Sequence, residues 1–118
     1  MARTLTTKEL SRKLLRVGAS EQRDLSIRAM IRQIPPGKVA TYAQVAAAAG
    51  YPLYHRQVVQ VLRKAGGSVP WQRVVGTGGK ICTMLDHGVD QRLRLQQEGI
   101  EFRGAKVRMD LHRHEFEY

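Results

Sequence analysis

Residues 41–65 read TYAQVAAAAGYPLYHRQVVQVLRKA, and this stretch predicts two short helices joined by a turn. Thr41 and Gln44 have the spacing of a capping box, in which each side chain satisfies a backbone N–H at the start of a helix. Four alanines follow, and Gly50 is typical of the residue just after a helix C-terminus. Because alanine side chains are small, we expect another helix to approach this one closely.

The second helix of the stretch, from about Tyr54 to Ala65, has an apolar side and a polar side. Val58, Val61 and Leu62 recur at the spacing that places side chains on one face of a helix. The other side holds basic and amide residues, namely Arg56, Gln57, Gln60, Arg63 and Lys64. A small helix, a turn and a helix with such a face predict a helix-turn-helix motif that binds DNA. An ordinary surface helix, whose charges only keep it solvated, is the alternative.

The charge of the whole chain points to the same class of partner. Its 118 residues include 20 Lys and Arg against 10 Asp and Glu, a formal net charge of +10 at pH 7. A small domain this basic is most simply a nucleic-acid binder, although acidic partners and membrane surfaces are alternatives. The length fits a single domain with one core, which we expect to be monomeric.

Several function classes find no support in the sequence. No apolar run approaches the roughly 20 residues that span a bilayer, and no signal-peptide pattern opens the chain. We therefore expect a cytoplasmic protein, nucleoid-associated in a bacterium, with no membrane partner. Cys82 is the single cysteine, and the four histidines lack metal-ligand spacing, so we expect no metal and no cofactor. Cys82 has no flanking base and reads as a packed strand residue.

The stretches on either side predict the rest of the domain. A capping box at Thr6–Glu9 predicts an N-terminal basic helix or arm over residues 1–18 that ends at Gly18, followed by a DNA-binding domain over residues 19–118. Within that domain, we expect a helix from about Ser20 to Gln33.

The second half of the chain predicts a hairpin, a helix and a strap. Val74-Val75 and Ile81-Cys82, separated by a glycine-rich loop, predict a hairpin that would form a wing. We expect Asp90 to begin a basic helix and residues 107–118 to form an extended strap. The predicted fold class is mainly α with a small β hairpin, a single winged helix-turn-helix-like domain.

Longer motifs resemble the C-terminal domain of the O6-alkylguanine-DNA alkyltransferases, from about Ile27 to Phe102. The matching residues are Ile34-Pro35-Pro36-Gly37-Lys38-Val39-Ala40-Thr41-Tyr42, then Ala46, Gly50, Pro52 and Arg56, then Pro70, Arg73, Val74 and Val75, and finally Glu98-Gly99. The family has a reactive cysteine in a Pro-Cys-His-Arg-Val motif, whereas this chain has Trp71 and Gln72 in place of the cysteine and the histidine. Tryptophan at that position resembles the alkyltransferase-like proteins.

This resemblance implies a winged helix-turn-helix that binds the minor groove of DNA and flips an alkylated guanine out of the duplex. Tyr42 would crowd the phosphate of the flipped nucleotide, and Arg56 would fill the vacated place as a finger. The lesion pocket would comprise Tyr42, Trp71, Gln72, Arg73 and Val74. The DNA-binding residues would be Thr41, Tyr42, Arg56, Gln57, Gln60, Arg63 and Lys64. Glu98 matches the glutamate that supports the histidine in the active enzymes.

The function implied is that of a non-enzymatic damage sensor, which flags O6-alkylguanine for nucleotide excision repair proteins. Two alternatives stay open: a winged-helix transcription regulator that binds undamaged DNA, and an active alkyltransferase that uses Cys82. Single residues have simpler readings as well. Tyr42 and Trp71 could fill the core, Arg56 could contact a phosphate, and Gln72 could be a solvated turn residue.

Overall fold

The computed structural model of the protein describes residues 6–81 and 86–117. The described residues form five α-helices: α1 (Thr7–Gln33), α2 (Tyr42–Ala48), α3 (His55–Ala65), α4 (Asp86–Gln97) and α5 (Met109–His112). They also form four two-residue strands: β1 (Ala40–Thr41), β2 (Val74–Val75), β3 (Phe102–Arg103) and β4 (Lys106–Val107). The predicted class, mainly α with a small β hairpin, is confirmed. None of the helices in these ranges has the length and apolar character that crossing a membrane requires.

The helix-turn-helix is formed by α2 and α3, as residues 41–65 predict. The capping box is present, because the Gln44 backbone N–H donates to Thr41 Oγ1 at 3.1 Å and the Thr41 N–H donates to Gln44 Oε1 at 2.9 Å. Gly50 follows α2 with a φ of +92°, a conformation that glycine adopts without steric cost. Local sequence signals therefore place both helices correctly.

A first apolar cluster joins these two helices to α1. Ile27 and Ile31 lie one turn apart on α1, Ile34 follows the end of this helix, and all three are fully buried. They pack in one cluster with Val45 of α2 and Val58 of α3. Complete burial of each such side chain contributes roughly 1.5–3 kcal/mol. This cluster therefore fixes the helix-turn-helix on the second half of α1.

A second apolar cluster lies beneath the strands and α4. It contains Val39, Val75, Ile81, Leu95, Ile100 and Val107. The C-terminal residues close over it, because the Val39 N–H donates to the His112 carbonyl and the His114 N–H donates to the Val39 carbonyl, both at 2.8 Å. The expected C-terminal strap thus includes one helical turn, α5.

The predicted position of the hairpin is wrong. Val74–Val75 pairs in parallel with Ala40–Thr41, and the antiparallel hairpin is formed by β3 and β4. After Val75 the chain makes a 3₁₀ turn closed by the Gly76 N–H donating to the Lys80 carbonyl at 2.8 Å. Lys80 then pairs with Lys106 through an isolated bridge. Cys82 itself lies outside the described residues.

Two predicted helix boundaries are also wrong. One continuous helix, α1, runs through Gly18, where the sequence predicts an end. A single glycine inside a helix costs only about 1 kcal/mol relative to alanine, so a long helix can continue through it. The basic helix begins at Asp86 and not at Asp90. Whether residues 1–18 act as a separate arm stays a prediction.

Candidate nucleic-acid interface

A cavity of about 710 Å³ lies between α3, α4 and the turn that carries Trp71. Tyr42, Trp71 and Val74, three of the residues predicted for the lesion pocket, line it. The remaining side chains of its lining come from α3 (Val59, Leu62, Arg63) and α4 (His87, Asp90, Gln91, Arg94). Cavities of roughly 300–1,000 Å³ are the usual size for small-molecule sites, so a nucleobase with a substituent fits this volume.

Trp71 is held at the boundary between this cavity and the core. It begins a 3₁₀ turn, Trp71–Arg73, and its backbone N–H donates to the Val69 carbonyl at 2.8 Å. The indole is half-buried and packs against the first apolar cluster. From this one position Trp71 packs against the core and also lines the cavity, and its role in a lesion pocket stays a prediction.

Arg73 stabilises the Trp71–Arg73 turn through contacts outside the cavity. Its Nε lies 2.6 Å from Glu98 Oε1 and 3.2 Å from Oε2, and its Nη1 donates to the Ile34 carbonyl at 2.9 Å. The Arg73 and Glu98 side chains are only 17% and 14% exposed. Arg73 is absent from the described lining of the cavity, and its guanidinium instead connects the turn to Ile34, just after α1, and to Glu98, just after α4.

Two glutamine side chains complete the support of the turn. Gln91 of α4 is 8% exposed, and its Nε2 donates to the carbonyls of Gln72 and Val74, each at 3.0 Å. The Gln72 side chain donates to Glu98 Oε2 at 3.5 Å and lines a smaller adjoining cavity of about 270 Å³. Because Gln91 satisfies two carbonyls at once, α4 fixes the backbone on which Trp71 is carried.

Arg94 faces Trp71 from α4. Its Cζ lies 5.5 Å from the centroid of the indole ring, within the range of a cation–π contact. Its Nε forms an ion pair with Asp90 Oδ1 at 3.0 Å, one helical turn earlier. The pocket therefore has an aromatic wall and a cationic group beside each other.

The outer face of α3 presents the predicted DNA-binding side chains. Arg56, Gln60, Arg63 and Lys64 are exposed and Gln57 is half-buried. α3 contains no acidic residue, and its charged side chains Arg56, Arg63 and Lys64 are all cationic. Thr41 is half-buried, and its hydroxyl oxygen accepts the capping hydrogen bond from Gln44. Of the DNA-binding set, Tyr42 and Arg63 also line the cavity.

The turn before α3 adds a feature that the sequence does not reveal. Leu53 has a φ of +77° and is 90% exposed. A non-glycine residue in this left-handed region is strained, and for a branched hydrocarbon side chain the conformation is uncommon. Leu53 lies three positions before Arg56, the predicted finger.

Sequence reasoning missed the contribution of α4 to the cavity. His87, Asp90, Gln91 and Arg94 all line the cavity and follow the spacing of one helix face. That spacing is visible in the sequence as a polar stripe, and it is a signal that could have placed these residues together. Nothing in the stripe says which other element it faces, because that depends on the packing of α4 against the Trp71 turn.

Comparison with known proteins gives consistent matches. The model of the family described as 6-O-methylguanine DNA methyltransferase, DNA binding domain, matches residues 22–100. A DNA base-flipping protein of Vibrio parahaemolyticus is 44% identical over 80 residues, which are 65% of this chain and 79% of that protein. Alkyltransferase-like protein 1 of Schizosaccharomyces pombe is 40% identical over 73 residues, which are 58% of this chain and 68% of that protein.

A solved structure agrees with the sequence matches. The crystal structure of S. pombe Atl1 in complex with damaged DNA containing O6-carboxymethylguanine superposes with a TM-score of 0.72 at 28% sequence identity. The match covers 80% of this chain and 96% of that chain. The helix-turn-helix, the Trp71 turn and α4 fall within residues 22–100, the range of the family match.

Proposed function

Because this chain belongs to the family of the 6-O-methylguanine DNA methyltransferase DNA-binding domain, we propose that it is a non-enzymatic sensor of O6-alkylguanine in duplex DNA. The observation that carries the proposal is the position of Trp71 on the wall of the 710 Å³ cavity. An indole offers an apolar surface to an alkyl group and lacks the thiolate that could accept it. The protein would hold the lesion without repairing it.

The proposed mode of DNA binding uses the outer face of α3 in the minor groove. Arg56, Arg63 and Lys64 supply an electrostatic attraction to phosphates that does not depend on sequence and weakens with added salt. Arg56, exposed in the first turn of α3, would enter the base stack as a finger. Extruding a base costs a few kcal/mol, and a stacked guanidinium offsets part of that cost.

The flipped base would occupy the cavity that Tyr42 lines. Trp71 and Val74 would contact the base and its alkyl group, and Gln72 would lie beside them on the smaller cavity. The contacts of Arg73 with Glu98 and with the Ile34 carbonyl support a positioning role for this residue within the predicted pocket. A pocket fixed by such contacts does not need to be ordered when the base arrives, which lowers the cost of binding.

The relatives support this mode of action. The bacterial relative carries the name of a DNA base-flipping protein, and the solved Atl1 structure contains DNA with O6-carboxymethylguanine. Delivery of the lesion to nucleotide excision repair proteins is part of the proposal and is supported by the family resemblance. Addition of this protein to a reconstituted excision nuclease should raise incision of an O6-alkylguanine duplex, and unchanged incision would contradict that step.

Binding titrations with matched duplexes test the sensor function directly. Fluorescence anisotropy of labelled DNA should show tighter binding to a duplex with one O6-methylguanine than to the same duplex with guanine. Mass spectrometry after prolonged incubation should show protein of unchanged mass. A protein that gains the mass of one methyl group would contradict the absence of an enzymatic activity and would implicate Cys82 as the acceptor.

A second candidate function follows from the helix-turn-helix itself. The exposed face of α3 would also suit a transcription regulator that reads undamaged DNA in the major groove. Such a regulator would bind modified and unmodified duplexes equally and would prefer one operator sequence. The same titration therefore separates the two functions.

A further inference from the structure

Two cavities share a wall beside Trp71. Gly67, Trp71 and Arg94 line both the 710 Å³ cavity and the adjoining 270 Å³ cavity. The smaller cavity is also lined by the polar residues Ser68 and Gln72. A substituent that extends from a base in the larger cavity along Trp71 would therefore reach Arg94 and a polar space beyond it.

Arg94 is held in place but remains accessible. Its Nε is fixed by Asp90 at 3.0 Å, and its Cζ lies 5.5 Å from the Trp71 ring centroid. The side chain is 51% exposed, so a ligand can approach it. A guanidinium has five N–H donors, and among the described residues Asp90 is the hydrogen-bond partner of one of them.

The charges around the two cavities favour an anion. Among the described residues that line them, the fully charged side chains are Arg63, Arg94 and Asp90, two cations and one anion. Asp90 is paired with Arg94, so the charge of Arg63 makes the net charge of these three side chains positive. An arginine fork matches a carboxylate in geometry as well as in charge.

We propose that Arg94 makes this pocket prefer O6-alkyl groups that end in a negative charge, the O6-carboxyalkylguanines, over uncharged groups of the same size. This inference rests on the proposed sensor function. The base and the first carbon of the substituent contact the apolar wall of Trp71, and the terminal carboxylate accepts hydrogen bonds from the Arg94 guanidinium, which lines both cavities. Arg94 is then a specificity-determining residue of the binding site.

The test compares two adducts of nearly identical shape. Labelled duplexes of one sequence carry guanine, O6-methylguanine, O6-carboxymethylguanine or O6-carbamoylmethylguanine, the last being the uncharged amide counterpart of the carboxylate. The original protein should bind the carboxymethyl duplex about three- to tenfold more tightly than the carbamoylmethyl duplex, as expected for a charge-assisted hydrogen bond that stays partly in water. Since both duplexes have the same phosphates, the general attraction to DNA cancels in this ratio.

Variants of Arg94 test whether its side chain causes the preference for the carboxymethyl duplex. Arg94→Gln should bring the ratio close to one, and Arg94→Lys, which keeps the charge without the fork, should retain part of it. Arg103→Gln removes an exposed charge on β3 that lies outside the lining of both cavities, and it should leave the ratio unchanged. Thermal unfolding of each variant confirms that it is folded.

Each outcome decides between the proposals. A ratio near one in the original protein, with methyl adducts still preferred over guanine, overturns the Arg94 inference and leaves the sensor function intact. A ratio above three that survives Arg94→Gln also overturns it, because another group must then hold the carboxylate. Equal binding to all four duplexes overturns both the inference and the sensor function.

Discussion

Arg73 and Glu98 form an ion pair, with Arg73 Nε 2.6 Å from Glu98 Oε1, that joins the Trp71 turn to the residue following α4. The pair is largely buried, and Ile34 and Gln72 supply further hydrogen bonds to it. Removing one charge from a buried pair leaves the other without a partner, which costs more than the loss of an exposed pair. Glu98 therefore stabilises the fold of this chain, independently of any role of the Trp71 turn in DNA binding.

Replacement of this carboxylate should destabilise the whole domain. We expect Glu98→Gln to lower the free energy of unfolding by about 2–3 kcal/mol, somewhat below the value for a fully buried pair because both side chains retain slight exposure. Urea unfolding followed by circular dichroism measures the loss. Asp110→Asn, in a pair with 64% exposure of the aspartate, is the control and should cost less than about 1 kcal/mol. Equal losses in the two variants would show that the Arg73 pair is solvated.

Replacement of Gln91 tests the connection between α4 and the turn. Gln91→Leu keeps the approximate size of the side chain but leaves the carbonyls of Gln72 and Val74 without their donor. We expect a loss of about 1–3 kcal/mol in unfolding free energy and weaker binding of the lesion duplex. Gln97→Leu, at an exposed position on the same helix, should change neither property. Unaltered lesion binding in the Gln91 variant would mean that the turn holds its conformation without α4.

The proposed finger predicts a difference between two cations on α3. Arg56→Ala should weaken binding to the O6-methylguanine duplex at least tenfold while changing the affinity for undamaged DNA far less, because the finger acts only when a base has left the stack. Lys64→Ala should weaken binding to both duplexes alike and reduce the salt dependence by about one phosphate contact. Lys8→Ala, on the exposed start of α1, is a control for charge. Parallel losses for Arg56 and Lys64 variants would argue against a finger.

Restoring a thiol should not restore methyl transfer. In Trp71→Cys the new cysteine would have Gln72 beside it, and an amide cannot take up the thiol proton as an imidazole does. Glu98, moreover, is already paired with Arg73. Incubation with O6-methylguanine duplex and mass spectrometry of the protein should show little or no methylated product. Rapid and complete methylation of this single variant would refute the argument that a base is missing.

The backbone of the helix-turn-helix turn offers a test of strain. Leu53→Gly should stabilise the fold by about 0.5–1 kcal/mol, because glycine relieves the positive φ and the exposed leucine loses little packing. Gly50→Ala, at a φ of +92°, should have the opposite effect and lower stability by about 1 kcal/mol. Thermal unfolding measures both. A destabilised Leu53 variant would show that the leucine makes contacts that outweigh its strain.

The parts of the fold that depend on local signals could be predicted from the sequence. The capping box of Thr41 and Gln44 and the apolar spacing of Val58, Val61 and Leu62 act within a few residues, and they place α2 and α3 correctly. The glycine at position 18 shows the limit of the same reasoning. A weak local break does not end a helix whose later turns are anchored by the buried Ile27 and Ile31.

The parts that depend on distant partners could not be predicted. Val74–Val75 has the composition of a strand, but its partner, Ala40–Thr41, is far away along the chain and pairs in parallel. In the same way, the motif around Trp71 identified Gln72 and Arg73 as residues of interest without showing that Arg73 faces Glu98 and Ile34. The contribution of Gln91 and Arg94 required the packing of α4 against the turn, which no local pattern specifies.

The position of Trp71 has a practical consequence, since it is the single tryptophan of the chain and lies on the cavity wall. Its intrinsic emission comes from one known place, and the proposed entry of a base into the cavity should therefore quench or shift that emission. Occupancy of the pocket can thus be followed separately from attachment to DNA, in unlabelled protein and in real time. The order of the two events, attachment first or base entry first, becomes a measurable quantity.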